Sequence, residues 1–104
     1  MLEKDIEQSW QRRIKKHGWE TIKLDTGRSS RGWPDRLICL PNNVAIFIEF
    51  KTLKGKVTPL QEHRHTRLRA LGFQVHVCRS AIDAEKVCLE AAGPAELRVY
   101  FSQP

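Results

Sequence analysis

Apolar positions near the start of the chain recur every four residues: Leu2, Ile6, Trp10 and Ile14 fall on one stripe of a helix, and Gly18 can end it. The spacing predicts a helix over residues 2–17 whose other face carries Arg12, Arg13, Lys15 and Lys16, a face that is either solvated or open to phosphate. Trp19 to Leu24 suits a strand, and the polar, turn-rich stretch from Thr26 to Gly32 has no apolar period, so it reads as a flexible basic loop. Two apolar runs, Asp35 to Leu40 and Val44 to Phe50, flank Pro41, Asn42 and Asn43, which is hairpin chemistry. Thr58 then stands as an N-cap before Pro59, Gln61 completes a capping box, and Gly72 closes this second helix. Phe73 to Arg79 gives another strand, Ser80 caps a helix reaching Ala92, and Leu97 to Phe101 is a short last strand. The order is αβββαβαβ, an α/β fold with one domain expected over residues 1–104, since a chain of this length buries one modest core.

Charge narrows the class of partner. Residues 1–79 carry 16 Lys and Arg against 8 Asp and Glu, whereas residues 80–104 carry 2 against 4, so the formal net charge of +6 is regional. A basic region this dense favours a polyanion, with nucleic acid first. The longest apolar run, Val44 to Ile48, is far short of a membrane span, and the charged start does not resemble a signal peptide, so a soluble, cytoplasmic protein is expected. Cys39, Cys78 and Cys88 form no Cys-x-x-Cys pair and are expected in the core. No His precedes Glu62 to make a His-Glu-x-x-His site, so no zinc is assigned, and His63 and His76 are expected to have no catalytic role.

The hairpin carries the chemistry. A three-residue loop at 41–43 pairs Leu40 with Val44 and, counting outward, Asp35 with Glu49, whose side chains then share a face about 5 Å apart. Lys51 lies two residues beyond Glu49, on the same face about 7 Å along. A two-residue loop would break this convergence, so the inference depends on loop parity. Two carboxylates that close repel unless a cation lies between them, and hard oxygen donors suit Mg2+ or Mn2+. Lys51 would then orient or deprotonate an attacking water, or neutralise developing charge. An ordinary charge cluster at a sheet edge is the plain alternative.

The surrounding sequence changes that balance: Gly32-Trp33-Pro34-Asp35-Arg36, then Ile48-Glu49-Phe50-Lys51, then Pro59-Leu60-Gln61 with His65, then Leu71-Gly72-Phe73. Over residues 3–88 the chain resembles the VRR-Nuc family of PD-(D/E)XK nucleases, whose signature is a Gly-x-Pro-Asp-Arg box, a Glu-x-Lys strand after a hairpin, and a helix starting near a Gln with a His four residues on. Trp33 departs from the small or aliphatic residue of that box, and either packs or stacks on a base.

The resemblance implies a restriction-endonuclease-like core, a mixed central sheet flanked by helices. It implies that Asp35, Glu49 and the main-chain carbonyl of Phe50 ligate Mg2+ or Mn2+, with Glu7 of the first helix completing the set, and that Lys51 serves the attacking water. Gln61 and His65, at i and i+4, share a helix face that would look into the site; Gln61 can cap its helix, position the nucleophile, or do both. Arg28, Arg31, Arg36, Lys54 and Lys56 lie in loops or at strand ends bordering the site and are expected to contact phosphates. The implied activity is metal-dependent DNA endonuclease action on branched DNA such as four-way junctions, by a homodimer. A non-catalytic DNA-binding module, or a nuclease acting on RNA or DNA ends, would leave similar residues.

Overall fold

The computed structural model describes residues 2–24 and 27–94. Seven elements follow in order: helix α1 (Glu3–Lys15), strands β1 (Glu20–Lys23), β2 (Arg36–Leu40) and β3 (Val44–Phe50), helix α2 (Pro59–Ala70), strand β4 (Gln74–Cys78) and helix α3 (Ala81–Ala92). A single 3-10 turn, Arg28–Ser30, interrupts the loop between β1 and β2. The strand expected over residues 97–101 lies outside the described residues.

The four strands form one sheet in the order β1-β2-β3-β4. β1, β2 and β3 pair antiparallel, while β4 joins β3 in parallel after the α2 crossover, so the sheet is mixed as expected. Asn42 and Asn43 take φ of 66° and 63°, the left-handed conformation that Asn tolerates better than most residues. The three-residue loop this makes pairs Leu40 with Val44 and Arg36 with Ile48, the register the parity argument required.

Strand alternation divides the core into two layers. On one side Ile38, Leu40, Ile46, Ile48 and Phe50 pack with Ile6, Trp10 and Ile14 of α1 and Ala84, Cys88 and Ala92 of α3. Trp10 is wholly buried, its ring 5.3 Å from that of Phe50; removing such a side chain costs about 3–5 kcal/mol. Leu2, the first member of the α1 stripe, is exposed instead. On the other side Phe47, Val75 and Leu68 of α2 form a smaller cluster with Leu24, Trp33 and Leu37. α2 covers only part of this face. Cys39, on that face, is therefore exposed, which corrects the expectation that all three cysteines are core residues; Cys78 and Cys88 are buried.

α1 and α3 are tied by Glu85, which accepts hydrogen bonds from Arg13 and His17 at 3.1 Å each and lies 3.5 Å from Lys16. Part of the basic face of α1 is thus spent inside the molecule. No helix among the described residues is long and apolar enough to cross a membrane.

Candidate active site

The site forms where β2 begins and β3 ends. Asp35, immediately before β2, accepts a hydrogen bond on Oδ2 from the Phe50 N–H at 2.7 Å, which fixes its carboxyl against the end of β3. Glu49, on the face opposite Phe50, is 1% exposed, and Lys51 holds its Nζ 3.8 Å from Glu49 Oε2. The main-chain N–H of Lys51 donates to the Cys78 carbonyl of β4 at 3.0 Å, so the strand stays in register as far as that lysine.

α2 closes the site from above. Thr58 Oγ1 accepts from the Gln61 N–H and Gln61 Oε1 accepts from the Thr58 N–H, the reciprocal box expected at this helix start. The same Gln61 side chain donates from Nε2 to Glu49 Oε2 at 3.3 Å. Capping and a site contact therefore coexist in one residue. One turn on, His65 is 1% exposed, with Nε2 3.8 Å from Glu49 Oε1. That separation exceeds a hydrogen bond, and both atoms are buried without a hydrogen-bond partner.

Electrostatics make the pair of carboxyls tense. Burial, then the neighbouring Asp35 charge, push Glu49 up to about 8 from its ordinary 4.5. Asp35 is raised as well, first by burial and then by the charge of Glu7, against the opposing Phe50 hydrogen bond. Buried Glu49 and half-buried Asp35, both resisting ionisation, would be eased by one shared proton or by a cation. Burial also lowers the pKa of His65, with Arg69 adding to the effect, which favours the neutral ring.

Glu7 approaches from α1 on the other face of the sheet. It accepts from Lys23 Nζ at 3.1 and 3.2 Å and from Arg36 Nε, whose side chain is 12% exposed. β1 and β2 pair Lys23 with Arg36, so strand alternation sends both toward α1. Of the five cations expected to meet phosphate, Arg28, Arg31, Lys54 and Lys56 lie exposed in the loops flanking the site, while Arg36 is turned inward onto Glu7. Among the described residues no three His, Cys, Asp or Glu side chains gather into a metal cage. The unpartnered Oε1 of Glu49 nevertheless fits a hard divalent cation, which would supply the partner this buried oxygen lacks and favour the ionised carboxylate.

Sequence reasoning missed three participants. Lys23 was hidden because the β1 register against β2 has no local signal. Arg79 donates to the carbonyls of Thr52, Leu53 and Gly55 at 2.6, 3.3 and 2.7 Å, holding the turn that carries Lys54. Arg64 lies over the Trp33 ring, 4.8 Å from its centroid.

Residues 1–82 match the VRR-NUC domain family. "Putative nuclease p44" of Acyrthosiphon pisum secondary endosymbiont phage 1 is 44% identical over 79 residues, covering 75% of this chain and 83% of that protein. A solved VRR_NUC domain superposes with a TM-score of 0.70 at 30% identity, covering 82% of this chain and 91% of its own. The hairpin register, the Asp35, Glu49 and Lys51 cluster beneath the Gln61 helix, and these matches lead to one assignment: the chain belongs to the VRR-NUC family of nuclease domains.

Proposed function

We propose that this domain is a metal-dependent endonuclease that hydrolyses DNA phosphodiesters and selects branched DNA such as four-way junctions. The observation that carries the reading is the buried Glu49 carboxyl, which has one oxygen unpartnered while the other meets Gln61 and Lys51. Asp35, Glu49 and the Phe50 carbonyl would hold Mg2+ or Mn2+, which supplies Lewis-acid polarisation of the phosphodiester and neutralises its charge. Glu7 would join them from a carboxylate already paired with Lys23 and Arg36.

The chain's own groups then have distinct tasks. Lys51, 6% exposed and next to Glu49, holds positive charge where negative charge develops in phosphoryl transfer, and orients the attacking water. Gln61 fixes the Glu49 carboxyl through a side chain already ordered by its own helix cap. Arg28, Arg31, Lys54 and Lys56 grip the backbone on either side, which positions a duplex without reading its bases. These cations meet backbone rather than base edges, which favours shape over sequence. A four-way junction offers two symmetric strands, which a homodimer with two symmetric sites would suit.

The test is cleavage of labelled four-way junction, flap, linear duplex and single-stranded DNA in Mg2+, Mn2+ or EDTA, beside Asp35→Ala and Lys51→Ala proteins. Junction cutting that needs metal, with both variants down by about 100-fold or more, is the expected result. Well-folded protein that cuts no DNA in either metal would overturn the reading.

A further inference from the structure

Five arginines among the described residues are held in two different ways. Arg13 is fixed by Glu85, Arg36 by Glu7, Arg69 by the Val75 carbonyl and Arg79 by three carbonyls of the 52–55 turn. Each of these guanidiniums donates to at least one acceptor of the protein itself. Arg64 is immobilised by a ring: its guanidinium carbon sits 4.8 Å from the Trp33 centroid, and no hydrogen bond or ion pair to it occurs among the described residues. Its Nε is buried with no partner. Its terminal nitrogens are not among the buried atoms, so their N–H groups face outward to an acceptor the domain itself does not supply.

Position indicates what that acceptor is. Arg64 lies on α2 between Gln61, which touches Glu49, and His65, which faces it. Trp33 lies two residues before Asp35, in a loop whose neighbour Gly32 packs directly on Leu60 of the same helix. Trp33 is itself braced from beneath by Phe47, ring centroids 6.0 Å apart, and Phe47 by Phe73 at 5.6 Å. A guanidinium held over a ring face spends no N–H donor on that contact, so its outer N–H groups stay available to a phosphate. Stacking also removes the rotamer freedom that binding would otherwise have to freeze out.

We infer that Arg64, presented by Trp33, is a substrate-binding residue that clamps a backbone phosphate next to the Asp35 and Glu49 site. The inference rests on the nuclease reading and adds to it a residue outside the Asp, Glu-x-Lys and Gln set. Trp33 acts through Arg64 and is a positioning residue.

The test measures binding of labelled linear duplex and four-way junction DNA in EDTA over a salt series, with thermal melting of every variant. Arg64→Gln should weaken binding by about 10-fold, as expected for a lost charge-assisted pair, and should flatten the plot of log affinity against log salt by about one unit. Arg64→Lys should keep the salt slope while losing affinity, because a point charge survives but the fork does not. Trp33→Leu should weaken the unaltered protein and add nothing in the Arg64→Gln background. In cleavage, KM should rise more than kcat falls. A role confined to locking the loop on α2 predicts a lower Tm with the salt slope unchanged, and that outcome overturns the inference, as does Arg64→Gln protein that binds like the parent. If the unaltered protein binds no DNA, the nuclease reading itself falls; if it binds and Arg64→Gln binds alike, the inference alone falls.

Discussion

Glu49 is the residue on which the site's energetics turn, because its environment opposes the charge its proposed chemistry needs. Its pKa is raised from 4.5 to about 8 by burial and by Asp35. A carboxyl that keeps its proton longer when folded contributes stability that is complete below 4.5 and is lost as pH rises through about 8. The metal-free protein should therefore melt at progressively lower temperature across that window. Glu49→Gln, which cannot ionise, should flatten the dependence, and Mg2+ should restore the alkaline side; thermal melts in EDTA and in Mg2+ over a pH series read all three. Thiols give a second check at this scale. Burial pushes Cys78 and Cys88 up to about 12, whereas Cys39 is exposed, so a thiol reagent at neutral pH should modify one cysteine in the native protein and three after unfolding. Alternation alone places Cys39 on the face of Asp35 and Leu37. How far along the sheet α2 reaches was not legible, because a helix's length does not fix where it docks.

At the scale of elements, local rules carried furthest where both partners are close in sequence. Loop parity fixed the β2–β3 register, and with it the meeting of Asp35 and Glu49; the Thr58, Pro59 and Gln61 pattern fixed the start of α2. Contacts between distant elements left no such trace. Glu7 with Lys23 and Arg36, Trp33 with Arg64, and Arg79 with the 52–55 turn all depend on packing angles that periodicity does not encode. One of these junctions rests on a glycine. Gly32 has φ of +82°, and a Cβ there would lie 2.7 Å from Leu60 Cγ and 3.1 Å from the Leu60 carbonyl oxygen. The side chain could yield, but the backbone oxygen and the left-handed conformation could not. Gly32→Ala should cost about 1–3 kcal/mol and lift the Arg28 to Arg31 loop off α2, seen as a lower Tm together with faster proteolysis between residues 27 and 33. The α1–α3 tie is gentler. Burial opposes the charge of Glu85, but hydrogen bonds from His17 and Arg13 prevail and lower its pKa, so its contribution is present above 4.5 and is lost as acid protonates it. With Arg13 and Lys16 substantially exposed, Glu85→Gln should cost only about 0.5–1 kcal/mol at neutral pH and nothing in strong acid.

Across the whole molecule, formal charge overstates the cation available to a polyanion. Residues 1–79 carry 16 Lys and Arg, yet Arg13, Lys16, Lys23, Arg36 and Arg79 are engaged by acceptors of the protein itself. Around the candidate site, Arg28, Arg31, Lys54 and Lys56 remain exposed, and Arg64 is held by a ring. Each phosphate neutralised on duplex DNA contributes about −0.9 to the slope of log affinity against log salt, so these five cations predict a slope of about −4 to −5. Replacing Arg28, Arg31, Lys54 and Lys56 together by Gln should bring it to about −1, the share left to Arg64. Arg36→Gln should leave the slope where it was while lowering the melting temperature, because it strips a buried partner from Glu7 rather than a contact from DNA. A titration of labelled duplex in EDTA over a salt series separates these cases. A slope unchanged in the quadruple variant would mean that DNA lies across another face, α1 with Lys4, Arg12 and Lys15 being the alternative, whereas a shallower slope in Arg36→Gln would mean that Arg36 leaves Glu7 when substrate arrives and so frees that carboxylate for the metal.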